Sequence, residues 1–281
     1  MDPNSHPTNV DPMLLDDPTF TRSSFTTIDG VTLTYFDTGG QGEPVVVLHG
    51  LAGSALEFVD TATALPEFRV ILLDLRGHGR STRIPADVTR EAFVADVVQL
   101  LEHARTGPAT LIGQSMGAHT AMLVAAHHPD RVSRLVLLET TEGSGDVADT
   151  SALSTYFDSW PVPFASREAA ADFLGNGPLQ QAWVADLERT NDGFIPRFDP
   201  TTMGKIMETL VVPRWAEWTN LSCPTLAVFA DHGMFSNEDK NVFVARGQNV
   251  TRVDLPNASH DAHLDAAAQW ISTLRGFLLN L

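Results

Sequence analysis

Short apolar runs rich in β-branched residues recur along this chain with helical patterns between them, and that alternation limits the folds open to it. PVVVL (44–48), RVILLDL (69–75), ATLIG (109–113), RLVLLE (134–139), TLAVFA (225–230) and VTRVDLP (250–256) all have the length of strands. Such runs fit strands buried on both faces. REAFVADVVQLLEHA (90–104) places Phe93, Val97, Leu100 and Leu101 on one helical face. MGAHTAMLVAAHH (116–128) and HLDAAAQWISTLRGFLLNL (263–281) read as helices in the same way. Strands alternating with helices predict the α/β class, a mostly parallel central sheet with helices on both faces. Ahead of them, SFTTIDGVTLTYFDTGG reads as two strands joined at Asp29-Gly30, a hairpin signal.

The rhythm breaks between residues 142 and 222, which hold four of the five tryptophans: Trp160, Trp183, Trp215 and Trp218. We read this stretch as a helical cap inserted before the last two strands. The core then comprises residues 24–141 and 223–281, and residues 1–23, rich in Pro, Asp and Asn, form a loose N-terminal arm. The cap tryptophans fit either a pocket lining or the cap's own core, and core is the favoured reading. A length of 281 residues suits one large α/β domain with an insertion.

Net charge is −17, which repels nucleic acid and anionic membrane surfaces. The single cysteine, Cys223, makes no internal disulfide and reads as a buried thiol. No stretch has the uncharged apolar length of a membrane span. The start lacks a cationic segment followed by an apolar one, so the expected location is the cytoplasm.

LIGQSMGAHTAM (111–122) sets Ser115 between Gly113 and Gly117, after a strand and before a helix. The pentapeptide fits G-x-S-x-G, where small neighbours let strand and helix approach closely and the helix N-terminus faces the hydroxyl. On its own it equally fits a serine N-cap flanked by packing glycines.

LHGLAG (48–53), DLRGHGRS (74–81), GQSMG (113–117) and LPNASHDAHLD (255–265), in that order and spacing, resemble the α/β-hydrolase superfamily over residues 24–281. The resemblance implies that fold, a Ser115 nucleophile, and His260 as the base that takes its proton and returns it to the leaving group. It implies an oxyanion hole from the backbone N–H groups of Met116 and Leu51. HGLAG is not the HGGG form of many lipases. His49 and His78 fall in turns where the family uses histidine structurally, and Asp74, Arg76 and His78 read as a turn network under the site. His127 and His128 fall at a helix end, and His263 opens the last helix.

The acid is where the chain departs from the common pattern. The family usually carries Asp three residues after a Gly at the end of the penultimate strand. Here FADHGMFS puts Ala230 at the Gly position and Gly233 at the Asp position, with Asp231 shifted by two. Glu139, ending RLVLLE and 24 residues after Ser115, is the other candidate. Some superfamily members, certain haloalkane dehalogenases and lactone hydrolases among them, place the acid after that earlier strand. A carboxylate ending a buried strand also needs a partner. Glu139 is the favoured acid and Asp231 the alternative.

The resulting expectation is a cofactor-independent serine hydrolase, without a metal, acting on an ester, lactone or related carbonyl of a small, largely apolar molecule. It works as a monomer or homodimer. C–C bond hydrolysis, perhydrolysis, a lyase or cyclase step, or ligand binding without catalysis are the alternatives. Epoxide hydrolysis and dehalogenation are disfavoured, because those relatives carry Asp where Ser115 stands.

Overall fold

A computed structural model describes residues 19–143 and 147–279. The N-terminal hairpin pairs β1 (Thr21–Thr26) with β2 (Thr32–Asp37), and Gly30 takes φ +86° in the turn between them. That left-handed backbone is what glycine supplies without strain. β1 begins inside the stretch read as an arm, and residues 1–18 of that arm lie outside the described residues.

β3 (Pro44–Leu48), α1 (Val59–Thr63), β4 (Arg69–Asp74), α2 (Arg90–His103), β5 (Ala109–Gln114), α3 (Met116–His127) and β6 (Val132–Leu138) follow. The inserted segment carries α4 (Val147–Asp158), α5 (Arg167–Leu174), α6 (Pro178–Asp186), β7 (Glu188–Arg189), β8 (Phe194–Ile195), α7 (Pro200–Leu210) and α8 (Trp215–Thr219). The chain then returns through β9 (Thr225–His232), α9 (Asn237–Arg246), β10 (Val250–Ser259), α10 (Ala262–Asp265) and α11 (Ala267–Leu279).

The main sheet has the order β1-β2-β4-β3-β5-β6-β9-β10. β2 pairs antiparallel with β1 and β4, and the remaining neighbours are parallel. Both faces are covered. Val46 and Leu48 join one apolar cluster with Leu111, Leu135 and Phe229, while Val45 and Val47 join the other with Leu72, Ile112 and Val228. A strand buried on two sides has no polar face, which is why these runs show no alternation. Each such side chain contributes about 1.5–3 kcal/mol on burial. α2 buries Phe93, Val97, Leu100 and Leu101, and its N-cap Thr89 accepts from Ala92 N. Residues 116–125 of α3 are buried all round, so this helix is built from small and apolar side chains.

The C-terminal stretch differs from the single helix expected. It breaks at Ala266 (φ −125°, ψ 33°) into α10 and α11. Two anchors account for the break: α10 buries Ala262 and His263, while α11 is pinned by Trp270, whose Nε1 donates to Thr61 Oγ1 at 3.0 Å. Asn280 and Leu281 lie outside the described residues.

Within the insertion, Trp160 packs among Phe157, Trp183 and Phe198 with ring centroids 5.4 to 5.6 Å away. Trp218 behaves differently. It stacks on Phe243 of α9 at 3.9 Å and donates to Phe243 O at 2.7 Å. α8 therefore packs with the core, although it lies within the 142–222 stretch. No helix among the described residues is long and apolar enough to cross a membrane.

After β3 the chain places β4 on one side of it and β5 on the other. In open α/β sheets, ligands bind at the carboxyl ends of the strands where the order reverses. Here that point lies between the turn after β3, His49–Gly53, and Ser115 after β5.

Candidate active site

Ser115 sits at φ 51°, ψ −117°, between β5 and α3. A non-glycine residue in such a conformation stores about 1–3 kcal/mol of strain and persists only where its surroundings enforce it. Here Ser115 N donates to Leu138 O at 2.9 Å, and Ser115 O accepts from His119 N at 3.0 Å. A Cβ on Gly113 would overlap Ala118, and one on Gly117 would overlap the Leu48 and His49 carbonyls. The two glycines thus let α3 seat directly on β5 and β3. Ser115 occupies the N-cap position of α3, yet its side chain makes no capping bond. Its hydroxyl is not used to hold the helix.

Glu139 occupies the matching position one strand over, at φ 52° just past β6. It is fully buried. Its Oε1 accepts from Ala230 N at 2.8 Å, and its Oε2 from Met234 N at 3.0 Å. Oε2 is also 3.2 Å from His260 Nδ1. Burial by itself would raise the Glu139 pKa. The His260 bond and the two backbone donors outweigh it and hold the carboxyl below its ordinary range.

Gly233 makes this possible. A Cβ there would overlap the Glu139 carboxylate. The position that carries Asp in the common pattern is thus empty of side chain, and the carboxylate of Glu139 fills the space. Asp231 is exposed on the far end of β9, where its Oδ2 accepts from Asn257 N at 3.2 Å. Gly233→Ala is expected to shift the carboxylate and lower kcat/KM by about 10²-fold, the scale of a misplaced orienting group. Steady-state kinetics beside a melting curve checks this, since a purely structural defect would move the melting temperature alone.

His260 is held from a second direction. Gln114, buried immediately before the serine, donates from Nε2 to His260 O at 3.1 Å and lies 3.5 Å from Asp261 Oδ1. Its Oε1 occupies the place where a Cβ on Gly50 would fall. One carboxamide thus touches the serine turn, the histidine loop and the turn after β3. Sequence reading passes over Gln114 because it fills a variable position of G-x-S-x-G, and only its burial beside a polar loop reveals the role. The Leu51 turn is closed by Gly53 N donating to Gly50 O at 3.2 Å. A Cβ on Gly50 would stand 3.6 Å from Ser115 Cβ, so this turn adjoins the serine. Met116 begins α3 beside it.

A family model described as the alpha/beta hydrolase fold matches residues 43–211. The chain belongs to that family. The (E)-2-((N-methylformamido)methylene)succinate hydrolase of Acinetobacter baylyi is 34% identical to it over 273 residues, covering 88% of this chain and 94% of the relative. The sn-1-specific diacylglycerol lipase of Mus musculus is 29% identical over 249 residues, covering 83% and 80%. Among solved structures, an E-2-(acetamidomethylene)succinate hydrolase superposes with a TM-score of 0.82 at 20% identity, over 92% of this chain and 99% of that one. The protein is an α/β-hydrolase enzyme.

His49, His78 and His263 of this hydrolase are tied into structure. His49 Nε2 accepts from Leu75 N at 3.0 Å, so Nδ1 carries the proton it donates to Gly50 O at 2.7 Å. His78 Nδ1 lies 2.9 Å from Arg76 O. Arg76 in turn grips buried Asp96 through two bonds of 2.6 Å, and Asp74 accepts from Ala55 N and Arg80 N at 2.8 Å. Among the described residues no His, Cys, Asp and Glu cluster has the makings of a metal site.

His263 is buried in α10, stacked on Phe58 at 4.3 Å and 3.5 Å from Glu57 Oε2. Burial pushes Glu57 up to about 8, with His49 opposing the rise and Asp261 and Asp74 adding to it. Burial likewise brings His263 down to about 4. The pair is therefore uncharged at neutral pH. Between the ordinary carboxylate range and about 8, the folded chain holds a proton on Glu57 that the unfolded chain has lost. The Glu57 contribution to stability falls as pH rises through that window, opposed below the ordinary histidine range by His263, which in the folded chain lacks a proton that the unfolded chain holds. Glu57→Gln is expected to raise the melting temperature at pH 8 and to lose that advantage near pH 5. A difference independent of pH would contradict this.

Proposed function

We propose that this hydrolase cleaves an ester, lactone or related carbonyl group of a small, largely apolar molecule through an acyl-enzyme on Ser115. Ser115 Oγ attacks the carbonyl carbon while His260 takes its proton. Glu139 accepts a hydrogen bond from the Nδ1–H of His260, which fixes the tautomer that leaves Nε2 free as the base and stabilises the imidazolium that forms. The N–H groups of Leu51 and Met116 stabilise the oxyanion. His260 then protonates the leaving group, and water, activated by the same histidine, releases the acid. These steps need side chains, backbone and water alone.

The observation that carries this reading is the buried Glu139 carboxylate 3.2 Å from His260 Nδ1, on the strand next to the serine turn. The substrate class rests on two supports. One is the aromatic wall of Trp160, Trp183 and Phe198 that faces Ala52 and Gly53 in the turn after β3, with Asp186 and Arg197 at its edge. The other is the pair of relatives: the one named for an ester lipid supports the apolar ester, while the one named for a substituted methylenesuccinate, a dicarboxylate, supports hydrolysis of a small molecule and not its apolar character.

A panel of p-nitrophenyl esters of increasing acyl length, simple lactones and N-acyl enamides tests the proposal. Turnover is expected for short esters or lactones, falling as the acyl chain lengthens. Inactivity across the whole panel would overturn the assignment.

A further inference from the structure

A second feature borders the aromatic wall, sharing Gly79 and Arg197 with it. The chain carries a net charge of −17 and 18 Lys and Arg residues in all. Four of its arginines converge on one cavity of about 400 Å³, lined by Arg22, Arg80, Arg83 and Arg197, with Glu188 the only carboxylate among the described residues in the wall. Arg22 comes from β1, and Arg80 and Arg83 from the turn after β4. Glu188 and Arg197 come from the insertion, so the cavity lies at the seam between the two. None of Ser115, His260 or Glu139 lines it.

Arg80 Nη2 pairs with Asp186 at 2.7 Å, and Arg80 Nη1 lies 3.6 Å from Asp74. Arg197 lies 3.6 Å from Asp186 and 3.9 Å from Glu188, and Arg83 pairs with Glu188. Arg80, Arg83 and Arg197 thus meet Asp74, Asp186 or Glu188, and Arg22 brings a fourth guanidinium to the same cavity. Burial also pushes Asp186 up to about 6, which weakens its counter-charge on the acid side. Arg83 adds a free donor: its Nε is buried with no hydrogen-bond partner among the described residues. A buried donor without an acceptor is costly. The planar guanidinium fork matches the oxygens of carboxylates and phosphates, and a cleft with one dominant sign concentrates the opposite ion.

We infer that this cavity between Arg22, Arg83 and Arg197, which adjoins the aromatic wall through Gly79 and Arg197 and contains none of the triad residues, is an anion-binding site for a compact oxyanion bearing phosphate or carboxylate groups. Isothermal titration of the full chain at pH 7.5 tests it, with inorganic phosphate and citrate as separate probes and ionic strength held constant with NaCl. Saturable binding of at least one probe is expected. Arg83→Gln and Arg22→Ser are each expected to weaken it by about tenfold, the scale of one charge-assisted hydrogen bond. The tighter probe assigns the site to phosphate or to carboxylate chemistry, and equal affinities assign it to oxyanions as a class. Arg22 is exposed on β1, so its variant carries the test even if Arg83→Gln fails to fold. No saturable heat with either probe, or an unchanged Kd in Arg22→Ser, would overturn the inference.

Discussion

Ser115→Ala lowers kcat/KM for a reactive ester by about 10⁶-fold, the loss seen when a serine nucleophile is removed from an otherwise intact site. The expectation follows from how little else the hydroxyl does. It makes no capping bond to α3, so its removal orphans no backbone N–H of that helix. The left-handed backbone at residue 115 is imposed by Leu138 O, His119 N and the close seating at Gly113 and Gly117. Alanine meets the same backbone constraint as serine. The variant should therefore melt close to the wild type while losing turnover. Activity retained within about tenfold of wild type would mean that another group attacks.

Glu139→Gln is the second large effect, about 10⁴-fold in kcat/KM, the scale of losing a triad acid. The reason lies in donors and acceptors. The carboxylate accepts at both oxygens, from Ala230 N on one and from Met234 N and His260 Nδ1 on the other. A carboxamide keeps one acceptor and turns the other position into a donor. If its oxygen stays on Ala230 N, its NH₂ faces two donors, Met234 N and the His260 Nδ1 proton. His260 then shifts to the other tautomer or turns away. Asp231→Asn, at the exposed end of β9, is expected to stay within about twofold. The same substitution bears on acid stability. The Glu139 carboxyl titrates below its ordinary range in the folded chain, so its contribution is present above that range and lost as pH falls through the folded value. Glu139→Gln should flatten the acid limb of the stability–pH curve, measured by melting temperature between about pH 3 and pH 7.

Much of the fold is legible in the sequence because the central strands are buried on both faces, and their unbroken apolar runs have no other economical use. The elbow is legible for a similar reason: glycines at 113 and 117, between a strand pattern and a helix pattern, satisfy a steric demand that few sequences meet. The acid is harder. Glu139 and the backbone donors that hold it are far apart in sequence, and a glycine at 233 reads only as a missing aspartate. Its absent side chain turns out to be the space that the Glu139 carboxylate occupies. Gln114 is hidden by its variable motif position. The break at Ala266 carries no Gly or Pro, so the helical pattern runs straight across it. Trp218 misleads through composition: it sits in a tryptophan-rich insertion but is buried on Phe243 of the core.

The most direct measurement of the central claim is intact-protein mass spectrometry on samples quenched during turnover of p-nitrophenyl acetate, with peptide mapping of any adduct. Glu139→Gln, in which release of the acyl group should be slowed, is run beside the wild type. The account predicts one acetyl group per chain, on Ser115, and absent from Ser115→Ala. An adduct on another residue, or turnover with no acyl-enzyme in either protein, would contradict it.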